Sequence, residues 1–470
     1  MRFTEHGPSI PNGLLDARDA GEVVFLCGAG ISIPAGLPDF FDLTAKVASV
    51  LGVQPNSTIG QMIDSETQYR ASKAPRQQYQ SISFDRIFTL LQREFGIAQV
   101  ESEVAATLAA KRHTKVDGHR ALLDIARGPD GRQRIITTNF DRLFQGAQPR
   151  LRSYAPPHLP DISRRDGFDG VVHLHGLLRS GRQRHFSESL GLILSSADFG
   201  RAYLADAWAT RFICDLLDRY TVILLGYSAD DPPVRYLLEG LNLAGRIREG
   251  RLYAFAAGAD PEITAGWRER GVTAITYDSA EHHRSLWESI QHWAERARDP
   301  VRWRKRTTAL ALTPPQKLKP FERGQVAALC SSIEGAQEFA SAAPPPPAEW
   351  LCVFDAACRY RKPGKTLNYG GDPAPEIDPL LEYGLDDDPP RPQDPRGDHT
   401  PPGTDLLCPL VGDIPVARES GIVTTDRGAR TELNSRLFQI GRWIQSVLAS
   451  PTVVWWVASR GGAVGLCVGI

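Results

Sequence analysis

The sequence lacks the features that define several broad classes of protein. It has no run of 18 or more uncharged apolar residues, so we predict no transmembrane helix. The N-terminus has no apolar segment ending in a small-residue cleavage site, which argues against a secretory signal peptide. The formal net charge is −1 over 470 residues, so the overall charge does not indicate nucleic-acid binding. We therefore expect a cytoplasmic protein with neither a membrane nor a nucleic-acid partner.

Cysteine pairs with the spacing of a metal site are also missing. The seven cysteines are scattered and no C-x-x-C occurs, so a zinc ribbon would lack its ligands. Without a signal peptide, we expect these cysteines to be reduced. We predict no bound metal.

Proline is concentrated in the last third of the chain, where residues 301–470 hold 20 of the 35 prolines. This change in composition predicts a first domain over 1–300, a Pro-rich linker over 301–348 and a smaller C-terminal domain over 349–470. We expect the last domain to contain an acidic, Pro-rich disordered loop over 386–403. Its role is unknown, and sensing or assembly is our hypothesis.

Six short runs rich in apolar and β-branched residues lie within the first domain. Near-continuous apolar runs are typical of parallel strands buried on both faces. Helical patterns separate several of them, which predicts an α/β fold: a doubly wound, mostly parallel, Rossmann-like sheet with helical insertions. One predicted helix covers 201–220, with Leu204, Trp208 and Phe212 on its apolar face. The six runs are VVFLC (23–27), RIITTN (134–139), VVHLH (171–175), TVILLG (221–226), RLYAFA (251–256) and VTAITY (272–277).

Glycine-rich and polar motifs follow four of these predicted strands. The first strand leads into GAGIS (28–32), where glycines would let backbone N–H groups approach a pyrophosphate. TTNFD (137–141), HLHG (173–176) and GYS (226–228) come at the ends of three later strands. Because the carboxyl ends of parallel strands form the ligand crevice of an open α/β sheet, we expect these motifs to line one cleft.

This ordered set of motifs resembles the sirtuin family of NAD-consuming proteins over about residues 15–295. GAGISIPAGLPDF is similar to that family's cofactor loop, TTNFD to its T-Q-N-x-D motif, HLHG to its H-G and GYS to its G-[ST]-S turn. The resemblance implies that NAD+ is the substrate, that Asn139 holds the nicotinamide ribose or a nearby water, and that His175 is the general base. It also implies that NAD+ is bound by Gly28, Ala29, Gly30, Ser32, Asp39, Asp141, Gly226 and Ser228, with Asp141 at the carboxamide and the last two on the adenosine and phosphate side.

Three departures from the family pattern are informative. Phe41 stands where the family usually has an arginine, and Thr138 stands where T-Q-N has its glutamine. The four zinc cysteines of the protein deacylases are absent. The sequence therefore resembles the divergent, zinc-less sirtuin-like domains of bacterial anti-phage proteins, which hydrolyse NAD. This implies an NAD+ glycohydrolase that forms nicotinamide and ADP-ribose.

Because constant hydrolysis of NAD+ would starve the cell, we expect a gated homo-oligomer. A phage protein or a second component of the same system would be its trigger. Two alternatives stay open: an NAD-dependent protein-lysine deacylase, and a non-catalytic module that binds NAD or ADP-ribose.

Other histidines receive plainer interpretations. His173 lies two residues before His175, and we predict a structural role for it. His119 lies in a polar, helix-like setting, and we expect its side chain to be solvated.

Overall fold

The computed structural model describes residues 1–72, 83–109, 114–164, 168–179, 189–227, 250–258, 260–355, 382–386 and 427–459, with a few single positions between 238 and 248. The described chain divides into two compact units. One contains Gly13–Ala297, and the other contains Met1–Asn12 together with the chain from Arg298 onward. No helix in these ranges has the length and apolarity needed to cross a membrane.

The first unit is built on a seven-stranded, fully parallel sheet. Four of the strands are five or six residues long, two have four residues and one has two. The central strands are buried along their whole length, because helices cover both faces. The strands are β1 (Val23–Cys27), β2 (Arg134–Thr137), β3 (Ser153–Tyr154), β4 (Gly170–His173), β5 (Thr221–Leu225), β6 (Leu252–Ala257) and β7 (Thr273–Tyr277).

The strand order across the sheet is β3-β4-β2-β1-β5-β6-β7. The strands β2, β4 and β3 lie on one side of β1, and the later strands β5, β6 and β7 lie on the other side. The direction of winding therefore reverses between β1 and β5, where Phe25 pairs with Ile223. This confirms the predicted doubly wound parallel sheet, and the reversal creates a crevice at the carboxyl ends of the two strands.

Helices fill the long connections between strands. The chain between β1 and β2 is helical in its described part. The apolar faces of these helices pack together around Val47, Phe88 and Val104. The helices of the first unit are α1 (Asn12–Asp19), α2 (Phe40–Val50), α3 (Thr58–Ser72), α4 (Phe84–Phe95), α5 (Ile97–Thr107), α6 (Asp117–Ile125), α7 (Leu143–Ala147), α8 (Ser196–Phe199), a π-helical turn (Gly200–Ala205), α9 (Trp208–Arg219), α10 (Pro261–Glu269) and α11 (Ala280–Arg298).

The predicted helix over 201–220 is only partly correct. A π-helical turn, Gly200–Ala205, precedes α9, and Ala207 between them adopts a left-handed backbone with φ 50°. This break rotates the first turn away from the apolar face of α9. Leu204 is therefore exposed, while Phe212 is buried as predicted.

The second unit is helical in its described part. Three helices between 300 and 340 occupy most of the stretch 301–348, for which we predicted a Pro-rich linker. They can form there because prolines occupy first turns and connections. The sequence PTVVWWVA (451–458) is rich in β-branched and aromatic residues but is also helical. Buried Trp456 within it donates its indole N–H to Asp355 across 2.8 Å. The helices are α12 (Pro300–Ala311), α13 (Pro320–Leu329), α14 (Ile333–Ala340), α15 (Trp350–Phe354), α16 (Arg427–Ser446) and α17 (Pro451–Ser459).

Aromatic side chains form the core of this second unit. Phe339, Phe354 and Trp443 contact one another edge to face, with ring centroids 5.1–5.9 Å apart. The indole of Trp443 donates to the carbonyl of Pro346 across 2.9 Å, which ties α16 to the run of four prolines at 344–347. The predicted boundaries of the linker and of the C-terminal domain stay predictions, and the predicted loop 386–403 lies, beyond Asp386, outside the described residues.

Candidate functional site

The four motifs begin at the carboxyl ends of four strands that are neighbours in the sheet, β4, β2, β1 and β5. They meet along one cleft of about 2060 Å³ at the carboxyl edge of the sheet. Of the predicted site residues, the cleft is lined by Ala29, Gly30, Ser32, Asp39, Asn139, Asp141, His175 and Gly226. Gly28 borders this set through Ala29, and Ser228 lies outside the described residues.

The glycines of the first motif allow two turns to pack against each other. A Cβ on Gly28 would lie 2.7 Å from the carbonyl oxygen of Gly226, and a Cβ on Gly30 would lie 2.8 Å from its Cα. The N–H groups of Gly28 and Gly30 donate to the carbonyls of Leu225 and Gly226 across 2.8 and 3.0 Å. These two N–H groups therefore join β1 to β5, and a pyrophosphate would have to find other donors.

Tyr227 reinforces the same junction. Its hydroxyl donates to the carbonyl of Cys27 across 3.1 Å and lies 2.9 Å from Oγ1 of Thr138. Thr138 stands in place of the glutamine in the family motif. The tyrosine thus links the ends of β1, β2 and β5 with hydrogen bonds from a single side chain.

Ser32 is the centre of a buried polar network. Its hydroxyl donates to Oδ2 of Asp141 across 2.9 Å and accepts from Nδ2 of Asn139 across 3.1 Å. Asp141 also accepts from the backbone N–H of Leu143 across 3.0 Å. Burial raises the pKa of Asp141, although these two hydrogen bonds act in the opposite direction.

Asn139 is held in one orientation by the backbone. Its Nδ2 donates to the carbonyl of Gly28 and to Oγ of Ser32, each across 3.1 Å. Because the Gly28 carbonyl can only accept, the amide group must point its nitrogen toward that carbonyl. Both amide protons are therefore used within the protein, and Oδ1 is the atom that can accept a hydrogen bond from a bound ligand.

His173 has the structural role that we predicted from its position. Its ring is buried, with Nδ1 2.9 Å from the carbonyl of Asn139 and Nε2 2.9 Å from Nε2 of Gln145. The amide of Gln145 can only donate here, so His173 accepts at Nε2 and donates at Nδ1. Burial lowers the pKa of His173 to about 4, which keeps this arrangement neutral. His173 thus fixes the backbone that carries Asn139.

The side chain of His175 is largely buried rather than solvated. Its residue is 8% exposed, and Nε2 lies 2.7 Å from the hydroxyl of Tyr203. Phe199 approaches the imidazole edge to face, with centroids 5.2 Å apart. Burial lowers the pKa of His175 to about 3, so the ring is neutral at neutral pH and has a lone pair with which to accept a proton.

Phe41 stands at the position where the family usually has an arginine, but an arginine from another helix lies beside it. The guanidinium of Arg70, on α3, lies 4.3 Å from the centre of the Phe41 ring and 2.9 Å from Oδ2 of Asp39. Asp39 also caps α2, since its Oδ1 accepts from the N–H of Asp42 across 2.7 Å. The Asp39 carboxylate is therefore engaged by the protein on both oxygens at the wall of the cleft.

One histidine differs from our expectation. His119 was predicted to be solvated, but it is buried, with Nε2 3.4 Å from Oγ of Ser32. Its ring meets Phe144 edge to face at 4.9 Å, and burial lowers its pKa to about 4. The polar neighbours of His119 in sequence lie on the other face of α6, which concealed its burial.

Sequence reasoning also missed Phe199, Tyr203 and Arg70 as residues of the cleft wall. All three lie in the helical connections rather than at strand ends, where the motif argument looked. Among the described residues, no group of three or more His, Cys, Asp or Glu side chains is placed to hold a metal ion.

Comparison with known proteins finds one family model that matches part of the chain. A family model described as a SIR2-like domain matches residues 133–275. This range begins just before β2 and ends within β7, so it contains Asn139, His175 and Gly226.

A curated relative and two solved structures are also similar to this chain. The relative is the uncharacterized protein y4cA of Sinorhizobium fredii (strain NBRC 101917 / NGR234), 32% identical over 332 residues, which cover 67% of this chain. The chain spans about a quarter, 26%, of the length of that relative.

The solved structures are a Sir2 homologue–NAD complex and Sir2 with the inhibitor EX-527, 2'-O-acetyl-ADP-ribose and a deacetylated p53 peptide. Their TM-scores are 0.29 and 0.27, with 17% and 18% identity. The matches cover 63% and 62% of this chain and 97% and 98% of those chains.

Proposed function

We propose, on the premise that this chain is a sirtuin-like protein with a SIR2-like domain at residues 133–275, that it hydrolyses NAD+ to nicotinamide and ADP-ribose. A SIR2-like domain implies NAD-binding or NAD-consuming activity. One observation supports the proposal of hydrolysis: Asn139 and His175 follow the adjacent strands β2 and β4 and line the same cleft.

The reaction needs little from the protein at the leaving group. When the bond between the ribose and the pyridinium nitrogen breaks, its electron pair neutralises the ring, so nicotinamide leaves without a general acid. What remains is to hold the ribose, supply a water molecule and accept one proton. Oδ1 of Asn139 is available to accept a hydrogen bond from a ribose hydroxyl or from that water.

His175 is suited to accept the proton because its imidazole is neutral. Burial also makes it a weak base, so it would not deprotonate free water. A water molecule that is bonding to an oxocarbenium-like carbon is far more acidic, and a weak base suffices there. Proton acceptance by His175 is thus expected to accompany attack, with the proton later released to solvent.

The test is turnover of NAD+ by the purified full chain, with and without an acetylated peptide, with the products resolved by chromatography. We expect nicotinamide and ADP-ribose without peptide. Asn139→Ala and His175→Ala should each reduce kcat by about 10²–10⁴ while the melting temperature stays near that of the wild type. His158→Ala, which removes an exposed imidazole, is the matched control and should keep full activity.

Other outcomes would identify the alternatives. Turnover that requires the peptide would identify a lysine deacylase. Binding of NAD+ without turnover, with or without phage components, would identify a non-catalytic sensor. A fully active and normally folded His175→Ala protein would refute the assigned base.

We also propose that the enzyme is a gated homo-oligomeric effector of anti-phage defence, since uncontrolled hydrolysis would deplete the NAD+ of its own cell. The second unit supplies a part of the chain outside the cleft that a phage protein or partner could bind. Cellular NAD+ measured before and after phage infection, in cells with wild-type or His175→Ala protein, tests this role. Equal NAD+ levels in the two strains would contradict it.

A further inference from the structure

A tyrosine hydroxyl is hydrogen-bonded to Nε2 of His175, the ring nitrogen through which the proposed base would act. Tyr203 is half-buried and lines the cleft, and its hydroxyl oxygen lies 2.7 Å from Nε2 of His175. Nε2 is therefore not presented directly to a substrate in this arrangement. We propose that Tyr203 relays the proton from the reacting water to His175, an inference that rests on the proposed hydrolysis of NAD+.

The protonation states favour donation from the tyrosine to the histidine. A neutral imidazole has one ring nitrogen that accepts, and a phenol at neutral pH carries its proton. With the Tyr203 O–H donated to Nε2, the lone pairs of the phenol oxygen can accept a hydrogen bond from a water in the cleft. The three atoms then form a chain from water through Tyr203 to His175.

Aromatic contacts hold the phenol in this place. The rings of Phe199 and Tyr203 are stacked, with centroids 6.0 Å apart and an angle of 24°. Both rings meet the imidazole of His175 edge to face, at 88° and 83°. Phe199 therefore restricts rotation of the phenol and of the imidazole at once.

The backbone of this segment is the second observation. Tyr203 lies within the π-helical turn Gly200–Ala205, and π-helical turns are frequent at functional sites. Ala207, just beyond it, holds a left-handed backbone that is unfavourable for a residue with a Cβ. A regular helix through this stretch would avoid both features but would place residue 203 differently relative to His175.

The step balances as follows. Water oxygen bonds to the ribose carbon as the bond to nicotinamide breaks, and the bonding pair passes to the pyridine nitrogen. One water proton moves to the phenol oxygen of Tyr203 while the Tyr203 proton moves to Nε2 of His175. The products are ADP-ribose, neutral nicotinamide and an imidazolium that returns its proton to solvent through the same tyrosine.

Tyr203→Phe tests the relay, since it removes only the hydroxyl. We expect kcat to fall at least about 10-fold with the KM for NAD+ changed less than about threefold and the melting temperature unchanged. The control is Tyr154→Phe in the outer strand β3, which removes a hydroxyl that donates to the carbonyl of Asp169. This control should keep wild-type kcat and KM.

A measurement on the unsubstituted protein covers the case in which Tyr203→Phe does not fold. In ¹⁵N-histidine-labelled wild-type protein at neutral pH, Nε2 of His175 should show the shift of an acceptor nitrogen and Nδ1 that of an N–H. A protonated Nε2 would overturn the relay, because the phenol would then accept rather than donate.

The kinetic outcomes separate the two proposals. Wild-type hydrolysis with an equally active Tyr203→Phe protein would overturn the relay alone. A more active Tyr203→Phe protein would also overturn it and would show that the tyrosine blocks His175. Wild-type protein that binds NAD+ without hydrolysing it would overturn the proposed function, and the relay with it.

Discussion

At the scale of the residue, the site is defined by which atoms the protein leaves for a ligand. Asn139 donates both amide protons to Gly28 and Ser32, so it presents an acceptor to the cleft. The position of the motifs at strand ends predicted that they line one cleft, and the resemblance to the sirtuin family implied Asn139 and His175 as the reacting pair, which stays a prediction. The sequence could not predict the orientation of the Asn139 amide, which depends on how that side chain meets Gly28 and Ser32. Nor could it predict the Tyr203 hydroxyl beside Nε2 of His175, because Tyr203 comes from a helical connection rather than from a strand end.

Gly226 offers a test of the close contact between the turns of β1 and β5. Its φ is +78°, and a Cβ there would lie 2.7 Å from the backbone nitrogen of Ile31. We expect Gly226→Ala to abolish NAD+ binding and to lower the melting temperature by more than about 5 °C, because neither backbone can move freely.

Gly36→Ala is the matched control for that substitution. Gly36 has a similar φ of +87°, but a Cβ there would meet nothing within 4 Å. It should cost only the left-handed strain, about 1–2 kcal/mol, and keep NAD+ binding by calorimetry. Equal effects of the two substitutions would show that strain, rather than contact between the turns, is responsible.

At the scale of the element, a buried carboxylate organises the loop that follows the HLHG motif. Glu101 on α5 accepts from the backbone N–H groups of Leu190 and Leu192 across 2.5 and 2.9 Å. The next residue, Ile193, donates its N–H to the carbonyl of His175 across 2.9 Å. The carboxylate of Glu101 therefore holds in place the segment 190–193, which is hydrogen-bonded to the backbone of His175.

We expect Glu101→Gln to destabilise the fold by about 2 kcal/mol in urea unfolding, because an amide nitrogen would face a backbone N–H. Amide exchange at Leu190 and Leu192 should accelerate. Glu94→Gln, on an exposed side chain of α4, is the control and should leave both measurements unchanged. Unaltered exchange in Glu101→Gln would mean that the loop is held by its apolar contacts alone.

The elements also show where sequence patterns succeed. All six predicted strands are present, because a strand buried on both faces needs a continuous apolar run that is visible in any sequence. The two-residue β3 was missed because Ser153 and Tyr154 are too few to form a pattern. The break at Ala207 was missed for a different reason, because the apolar spacing of 201–220 continues through it and gives no sign of the interruption.

At the scale of the whole molecule, three buried histidines make stability depend on pH. Burial lowers the pKa of His119 and His173 to about 4 and that of His175 to about 3. Between these values and the unfolded value of about 6.5, the unfolded chain binds more protons than the folded one, so stability falls as pH falls. The raised pKa of Asp141 works in the opposite direction for one group.

We expect each of these histidines to cost about 2 kcal/mol of unfolding free energy between pH 7 and pH 5. Urea unfolding at both pH values measures the difference, and His173→Asn should reduce it. His158→Gln, at an exposed position, should leave it unchanged. If His173→Asn leaves the pH dependence as it is, then the folded protein takes up the proton at that histidine.

The contiguity of β4, β2, β1 and β5 has a consequence for how such proteins diversify. The proposed reacting residues, Asn139 and His175, follow the inner strands β2 and β4, whereas α2 to α5, which supply Arg70 and Glu101, lie in the connection between β1 and β2. We expect that this segment can be exchanged between relatives without rearranging β2 and β4, provided that the carboxylate of Glu101, which holds the chain next to His175, is kept. A chimera with this segment from a relative should inherit that relative's substrate access and keep the reaction of the host.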